Sequence, residues 1–203
     1  MCKIYLYEGS ELHGEKAYKL IEMAATMYIA ESNFGIPEKS AYAELQKVND
    51  NSIYGDLDFE IDLTENGKPF FVNLPLEFSV TNCSGMWMCA ISENPCGVDL
   101  QVARKAPGEK IAERFFKPEE AEYVKRVGEE GFFRIWTRRE AYGKMIGEGF
   151  WGDIPSLVCE DDSGELLLLD SIGEFTLSDI EIGEGIYCAV CTADRGPYPI
   201  VLL

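Results

Sequence analysis

Histidine is almost absent from this chain, because its 203 residues include only His13, in a polar stretch remote in sequence from every other candidate for catalysis. This inventory argues against a Ser-His-Asp triad, a Cys-His pair and a histidine-rich metal site. Any proton transfer would therefore fall to a carboxylate or to water.

Basic residues and long apolar runs are also scarce. Lys and Arg number 18 against 36 Asp and Glu, which leaves a formal net charge of −18. That charge argues against a general binder of nucleic acids or anionic membranes, so an anionic ligand would need a local cluster of Lys and Arg. No apolar run approaches the roughly 20 residues of a membrane span, and we expect no membrane partner.

The seven cysteines are scattered, odd in number and preceded by no secretory signal. We expect them to be reduced, partly buried thiols in a cytoplasmic protein. Cys188 and Cys191 have the spacing of a redox motif, but they lie in an apolar, strand-like run with no second pair to complete a zinc site. We therefore expect both thiols to pack in the core.

Hydrophobic periodicity predicts short strands and helices in a repeated order. The predicted strands are residues 3–7, 70–73, 77–81, 87–92, 97–102, 156–159, 165–170, 175–177 and 185–193. The predicted helices are residues 15–32, 40–47, 109–114, 118–126 and 131–146. Because both halves read as strand, helices, strands, we expect an α+β protein that divides near residues 93–95 into residues 1–94 and 95–203.

Two segments about forty residues apart, 97–101 and 136–144, carry the most informative polar pattern. In the first, the period of two along a strand places Asp99 and Gln101 on one face between apolar neighbours. In the second, helical geometry aligns Glu140 and Lys144 on one face.

These side chains suit a hard cation such as Mg²⁺ that holds a phosphorylated ligand. Trp136 shares the face of Glu140 and Lys144, and Arg139 lies one step around the helix. Each residue also has a simpler explanation. Glu140 and Lys144 could be a surface ion pair, Asp99 an exposed residue at a strand end, and Trp136 a core residue.

Four motifs occur in a fixed order, namely Gly67-Lys68-Pro69 and residues 78–83, 97–101 and 136–144. In order and spacing they resemble the 4′-phosphopantetheinyl transferases, specifically the larger surfactin-synthetase-activating type, in which one chain carries two related halves. Residues 66–150 carry the resemblance well, and residues 1–60 match only in outline. The resemblance implies a pseudo-twofold arrangement of two similar α+β halves, each a small antiparallel sheet packed with helices, with the active site at their interface.

The resemblance also implies a reaction, the transfer of the 4′-phosphopantetheine group of coenzyme A to a carrier-protein serine. It assigns catalysis to Asp99, Glu140 and Lys144, and it assigns a Mg²⁺ site, with Mn²⁺ as the other metal it allows, to Asp99, Gln101 and Glu140. Glu140 or a metal-held water would deprotonate the serine. The positions that it places around coenzyme A are Lys68, Thr81, Asn82, Cys83, Arg139 and Lys144.

Four of these positions depart from the family pattern. Asn82 replaces a histidine, which removes any cationic help there. Gln101 replaces a common Glu and takes one negative charge from the metal site. Arg139 stands for Lys and adds bidentate geometry toward phosphate, whereas Cys83 for Ser leaves a weaker donor.

The resemblance places the carrier protein, of acyl, peptidyl or polyketide type, against residues 115–123 of a monomer. We expect at least one of Phe115 and Phe116 to be a core residue, and we expect nearby cations, such as Arg114 and Lys117, to assist docking. Three hypotheses stay open from the sequence: an active transferase, a non-catalytic module that binds coenzyme A or a carrier, and an acidic α+β interaction protein with chance motifs.

Overall fold

The computed structural model describes residues 1–10, 12–32 and 59–203, so the helix predicted at residues 40–47 lies outside the described residues. These residues form an α+β structure with small, mainly antiparallel sheets. In chain order the elements are β1 (Lys3–Glu8), α1 (Glu15–Glu31), β2 (Ile61–Leu63), β3 (Pro69–Phe71), β4 (Glu77–Cys83), β5 (Met86–Ser92), β6 (Cys96–Val102), α2 (Gly108–Phe115), α3 (Pro118–Val127), α4 (Glu129–Ile146), β7 (Val158–Glu160), β8 (Leu166–Leu168), β9 (Ser171–Ile172), β10 (Phe175–Asp179), β11 (Ile186–Thr192) and β12 (Ile200–Leu202).

The first sheet has the strand order β12-β1-β5-β4. Within it β1 is antiparallel to β5 and β5 is antiparallel to β4. The apolar stripe of α1, which includes Leu20, Ile21 and Tyr28, packs on one face of this sheet. The last strand of the chain, β12, returns to pair in parallel with β1.

The second sheet has the order β6-β11-β10-β9, and α4 packs on one face of it. Its first strand is antiparallel to β11, which is antiparallel to β10. The first sheet has the same arrangement, since β1 pairs with β5 and β5 with β4. Three strands of each sheet, β1-β5-β4 and β6-β11-β10, therefore share one antiparallel order, although the sequence shows no literal repeat.

A shared core lies between the two sheets. It is formed by alternate residues of β1, β5, β6 and β11, as the period of two along a strand requires. Its members include Ile4, Leu6, Met86, Met88, Ala90, Val98, Leu100, Cys188 and Val190. Because β6 contributes one face to this core, its other face is free to meet α4 and β4.

All seven cysteines lie in the described part of the chain and are free thiols. Cys188 faces the core between the sheets, whereas Cys191 faces the core beneath α4, because residues three apart on a strand point to opposite faces. Burial raises the pKa of the Cys191 thiol to about 12. The prediction that both residues pack in the core is confirmed.

Gly97 allows α4 to lie directly on β6. A Cβ at this position would collide with the carbonyl oxygen of Ala141 and would lie 2.6 Å from the backbone nitrogen of Met145. The helix ends at Ile146 and is capped by Gly147, which has a φ of 77° in the left-handed region that favours glycine.

Among the helices of the described ranges, none combines the length and apolar character that a membrane crossing requires.

Candidate active site

Strand β6 and helix α4 bring Asp99 and Lys144 into contact. The Lys144 Nζ donates to Asp99 Oδ1 at 2.7 Å and to the carbonyl oxygen of Val98 at 3.1 Å. Asp99 is only 3% exposed. A carboxylate that is this buried requires a charged or hydrogen-bonded partner. Lys144 is that partner, and the close packing of α4 on β6 at Gly97 brings it to Asp99.

Strand β4, from the first sheet, completes the surroundings of Asp99. The Thr81 hydroxyl donates to Asp99 Oδ1 at 2.9 Å, and the thiol of Cys83 lies 3.9 Å from Gln101 Oε1. Gln101 Nε2 donates to Asp99 Oδ2 at 3.4 Å, which is a long hydrogen bond. The cluster of Asp99, Thr81, Gln101 and Lys144 therefore joins the two sheets, and we call it the Asp99 cluster.

Glu140 lies one helical turn before Lys144 and has no hydrogen bond or ion pair within the described residues. Burial raises the pKa of its carboxyl above the ordinary value of 4.5, the charge of Asp99 raises it further, and Lys144 offsets part of the effect. The charges of Asp99 and Lys144 both act on the Glu140 carboxyl, so this part of the site has two carboxylates for one ammonium group. This excess of negative charge favours a bound cation.

The chemistry of the donor set fits a hard divalent cation with incomplete protein ligation. Asp99 and Glu140 supply carboxylate oxygens, and Gln101 supplies an amide oxygen. Within residues 1–10, 12–32 and 59–203, no three His, Cys, Asp or Glu side chains are grouped so as to hold a metal ion. Water and ligand oxygens would therefore complete the coordination, as is usual for Mg²⁺.

A cleft of about 210 Å³ opens beside the Asp99 cluster. Its walls are the turn at residues 66–69, residues of β4, and the end of α4 with the loop that follows it. The turn is fixed to that end, because Lys68 Nζ donates to the carbonyl oxygen of Met145 at 3.2 Å and Asn66 Nδ2 donates to that of Gly147 at 3.1 Å. Lys68 and Lys144 both line this cleft.

The two lysines give the cleft a positive lining in an acidic protein. Glu77 lies 3.5 Å from the Lys68 ammonium group, and Asp99 pairs with Lys144. Each ammonium group also donates to a backbone carbonyl, Lys68 to that of Met145 and Lys144 to that of Val98, so one of its three hydrogens is left for a further acceptor. Phosphate oxygens are acceptors of that kind.

Asn82 is not part of the Asp99 cluster. It is exposed on β4, and the alternation of a strand points it away from the side on which Thr81 and Cys83 meet β6.

Arg139 is also outside the cluster, and its expected contact with a phosphate stays a prediction. Its guanidinium is buried, and its Nη1 donates to the two carboxylate oxygens of Glu120 at 2.9 and 3.2 Å. The rings of Phe116 and Phe150 lie 5.6 and 5.5 Å from the guanidinium carbon. Because Glu120 and the two rings hold it on another face of α4, Arg139 supports the helix beneath Glu140.

Two residues near the site were missed in the sequence, Ser79 and Glu120. Ser79 accepts a hydrogen bond from the backbone nitrogen of Val98 at 3.1 Å. The period of two in β4 could have identified it, since Ser79 precedes Thr81 on the same face. Glu120 accepts hydrogen bonds from the backbone nitrogens of Lys117 and Leu157. Its position three residues after Lys117, at the start of a predicted helix, could have identified it as a capping residue.

An aromatic platform, defined as Phe115, Phe150 and Trp151, adjoins the cleft. Trp151 is 74% exposed and lies two residues after Gly149, which lines the cleft. Its ring centroid is 5.2 Å from that of Phe115 and 4.9 Å from that of Phe150. Phe116 instead packs against Phe132 in the core, so the prediction that at least one of the adjacent phenylalanines is a core residue is confirmed.

Trp136 packs in the aromatic layer beneath this platform, with its ring centroid 4.6 Å from that of Phe150. It is partly buried among Phe116, Phe132 and Phe150. Its position fits the simpler explanation of a core residue.

Comparison with known proteins agrees with the motifs. Residues 95–191 match the model of the 4′-phosphopantetheinyl transferase superfamily. The chain is 29% identical over 134 residues to the 4′-phosphopantetheinyl transferase gsp of Aneurinibacillus migulanus, an alignment that covers 63% of this chain and 56% of that protein. It is 29% identical over 145 residues to the 4′-phosphopantetheinyl transferase Sfp of Bacillus subtilis (strain 168), covering 67% and 64%.

A third relative is the 4′-phosphopantetheinyl transferase HetI of Nostoc sp., which is 33% identical over 100 residues, 44% of this chain and 42% of that protein. The chain thus spans less than two thirds of the length of each of these three relatives. The superfamily match contains β6, α4 and all but the last residue of β11, and with them Asp99, Glu140 and Lys144. Residues 95–191 are therefore similar to the 4′-phosphopantetheinyl transferase superfamily in sequence.

Proposed function

We propose that this protein transfers the 4′-phosphopantetheine group of coenzyme A to a serine of a carrier protein and releases 3′,5′-ADP. The observation that carries the proposal is the meeting of Asp99, Glu140 and Lys144 beside a cleft lined by two lysines. The relatives named as 4′-phosphopantetheinyl transferases support the same activity.

The proposed reaction is a phosphoryl-type transfer. The serine oxygen forms a bond to the phosphorus that carries the pantetheine arm, and the bond from that phosphorus to the bridging pyrophosphate oxygen breaks. The electron pair of the broken bond leaves with 3′,5′-ADP. Glu140 accepts the serine proton directly or through a water, since a bound cation and Lys144 would keep its carboxylate ionised.

The cations of the cleft hold the substrate. Lys68 reaches toward the nucleotide, and Lys144 contacts the pyrophosphate, whose negative charge increases as the bond breaks. Ser79 and Val80 are the residues of β4 that line the cleft. Thr81, Asn82 and Cys83 follow them on the same strand and stay predicted contacts of coenzyme A from the resemblance alone.

Asp99, Glu140 and Gln101 would hold Mg²⁺, with Mn²⁺ as the alternative ion. When bound, the ion supplies charge neutralisation at the pyrophosphate oxygens. The raised pKa of Glu140 beside Asp99 supports this assignment, since the site has more negative charge than Lys144 offsets.

The carrier protein would dock on the aromatic platform and the adjoining ends of α2 and α3, within residues 115–123. Exposed aromatic side chains are frequent anchors at protein interfaces. The Arg114 guanidinium lies 4.9 Å from the Phe115 ring centroid and adds positive charge beside the platform. Carrier proteins are usually acidic, so this local charge offsets part of the repulsion from a chain of net charge −18.

We also propose that the two halves are related by a pseudo-twofold axis and that one chain is sufficient for activity. The shared strand order of the two sheets supports the first point. The monomeric state and the cytoplasmic location stay predictions from the sequence.

The test is mass spectrometry of several apo carrier proteins after incubation with this protein, coenzyme A and Mg²⁺. We expect at least one carrier to gain the mass of phosphopantetheine. Asp99→Asn and Glu140→Gln should abolish the gain, whereas Asp162→Asn and Glu174→Gln, which remove the same charges at exposed positions, should not. Retained transfer in either site variant would refute the assigned roles.

A second candidate is a module that binds coenzyme A without transfer. It is favoured by Gln101, whose amide nitrogen donates to Asp99 where the family pattern has a carboxylate. Coenzyme A binding in a calorimeter, with no mass gain on any carrier, would support this candidate over the first.

A further inference from the structure

The two oxygens of the Asp99 carboxylate have unequal surroundings. Oδ1 accepts hydrogen bonds from both Thr81 Oγ1, at 2.9 Å, and Lys144 Nζ, at 2.7 Å. Oδ2 accepts only the 3.4 Å bond from Gln101 Nε2 among the described residues. One oxygen is therefore saturated, and the other is left with a weak partner.

Strand β4 is fixed beside β6 by side chains that point in one direction. Ser79 receives the backbone N–H of Val98, and Thr81 reaches Asp99 two residues farther along. Both hydroxyl-bearing residues are buried, at 4% and 8% exposure. Two residues of β4 therefore hold this part of β6. Ser79 bonds the backbone N–H of Val98, next to Asp99, and Thr81 bonds the Asp99 side chain.

The two donors to Oδ1 differ in stiffness. The Lys144 ammonium group is at the end of a flexible four-carbon chain and is a candidate contact for substrate phosphate. Thr81 is β-branched, so its χ1 is restricted and its hydroxyl has little freedom to leave Asp99. Thr81 is therefore the donor that holds Oδ1 independently of where the Lys144 ammonium group lies.

We propose that Thr81 is a positioning residue, whose hydroxyl holds Asp99 Oδ1 so that Oδ2 is presented to a divalent cation. This inference rests on the proposed function and replaces the expected contact between Thr81 and coenzyme A. In this arrangement the residue acts through Asp99 and does not touch the substrate.

The variants follow from the geometry. Thr81→Val keeps the branched shape and removes the donor, and Thr81→Ser restores the donor without the methyl group. Thr26→Val is the matched control, because Thr26 is 7% exposed and donates to the carbonyl oxygen of Glu22 within α1, which contributes no residue to the cleft. If Thr81→Val does not fold, Thr81→Cys against Thr81→Ser compares a weak donor with a strong one at nearly equal size.

Two equilibrium measurements separate the roles. Calorimetry of coenzyme A in EDTA gives its Kd without metal, and calorimetry of Mg²⁺ into the protein saturated with coenzyme A gives the Kd for the ion. We expect Thr81→Val to raise the Kd for Mg²⁺ roughly 10- to 100-fold, the usual effect of losing a partner of a metal ligand. The Kd for coenzyme A in EDTA should not change, and Thr81→Ser and Thr26→Val should resemble the wild type in both measurements.

An unchanged Kd for Mg²⁺ in Thr81→Val, or a loss of coenzyme A affinity in EDTA, would overturn the inference. The second result would return Thr81 to the coenzyme A site. Absence of transfer by the wild type to every carrier would refute the proposed function instead, because the binding measurements do not depend on a carrier.

Discussion

The buried ion pair between Glu120 and Arg139 gives the sharpest prediction for stability. Glu120 is fully buried and Arg139 is 5% exposed. The carboxylate accepts from Arg139 and from the backbone nitrogens of Lys117 and Leu157. Substitution Glu120→Gln removes the charge at nearly constant volume and leaves the guanidinium buried without a carboxylate partner.

Loss of one partner of a buried ion pair costs about 3–5 kcal/mol. For a chain of this length, each kcal/mol lowers Tm by about 2–4 °C, so Glu120→Gln should lower Tm by about 6–20 °C. Urea unfolding followed by circular dichroism measures the free energy, and a thermal melt measures Tm. A loss below about 1 kcal/mol, the range of exposed ion pairs, would refute the reasoning.

The double variant Glu120→Gln/Arg139→Met completes the test. With the unpaired charge removed, the double variant should recover part of the stability lost in Glu120→Gln, whereas simple addition of the two single losses would contradict a direct pair. Folded Arg139→Met should also bind coenzyme A as the wild type does. A weaker affinity with a smaller salt dependence would mean that Arg139 contacts phosphate after all.

Two further predictions concern Glu140 and the aromatic platform. Because burial and Asp99 raise the pKa of Glu140, the folded state holds its proton more tightly than the unfolded state, and stability falls as pH rises from the ordinary value of 4.5 through the raised pKa. In EDTA at neutral pH, Glu140→Gln should therefore raise Tm, with the advantage lost as pH falls below 4.5; a lower Tm at neutral pH would contradict this sign. Trp151→Ser should raise the KM for a carrier about tenfold with an unchanged Kd for coenzyme A, as the loss of an interface anchor does, whereas Leu167→Ser, at another exposed apolar position, should not. Equal KM values for the two variants would remove Trp151 from the docking surface.

Local periodicity was sufficient for the longer elements of the fold. The structure has a helix at Glu15–Glu31 and strands at Glu77–Cys83 and Met86–Ser92, close to the predicted bounds. The short strands β2, β9 and β12 were not predicted. Two or three residues carry too little periodicity to be recognised, and such strands exist because a partner strand is beside them.

In the candidate site, too, the features set by local sequence were predictable, and those set by long-range contacts were not. The periods of strand and helix predicted that Asp99 shares a face with Gln101 and Glu140 with Lys144. They could not predict which residues pack against the neighbouring face of α4. Glu120, Phe116 and Phe150 come from other parts of the chain, and only the tertiary structure brings them to this helix. The expected contact of Arg139 with coenzyme A therefore rests on the resemblance alone, and the structure packs its guanidinium against Glu120.

The parallel pairing of β12 with β1 has a consequence for any attempt to isolate the first half. Residues 1–94 alone would lack β12, and the backbone groups of β1 that pair with Ile200–Leu202 would become an open sheet edge. An unprotected edge of this kind recruits strands from other molecules. The first half is therefore expected to self-associate when expressed without the last strand. A β12 segment fused before residue 1 would keep that edge covered only through a linker long enough to cross back along the strand, because the two strands are parallel.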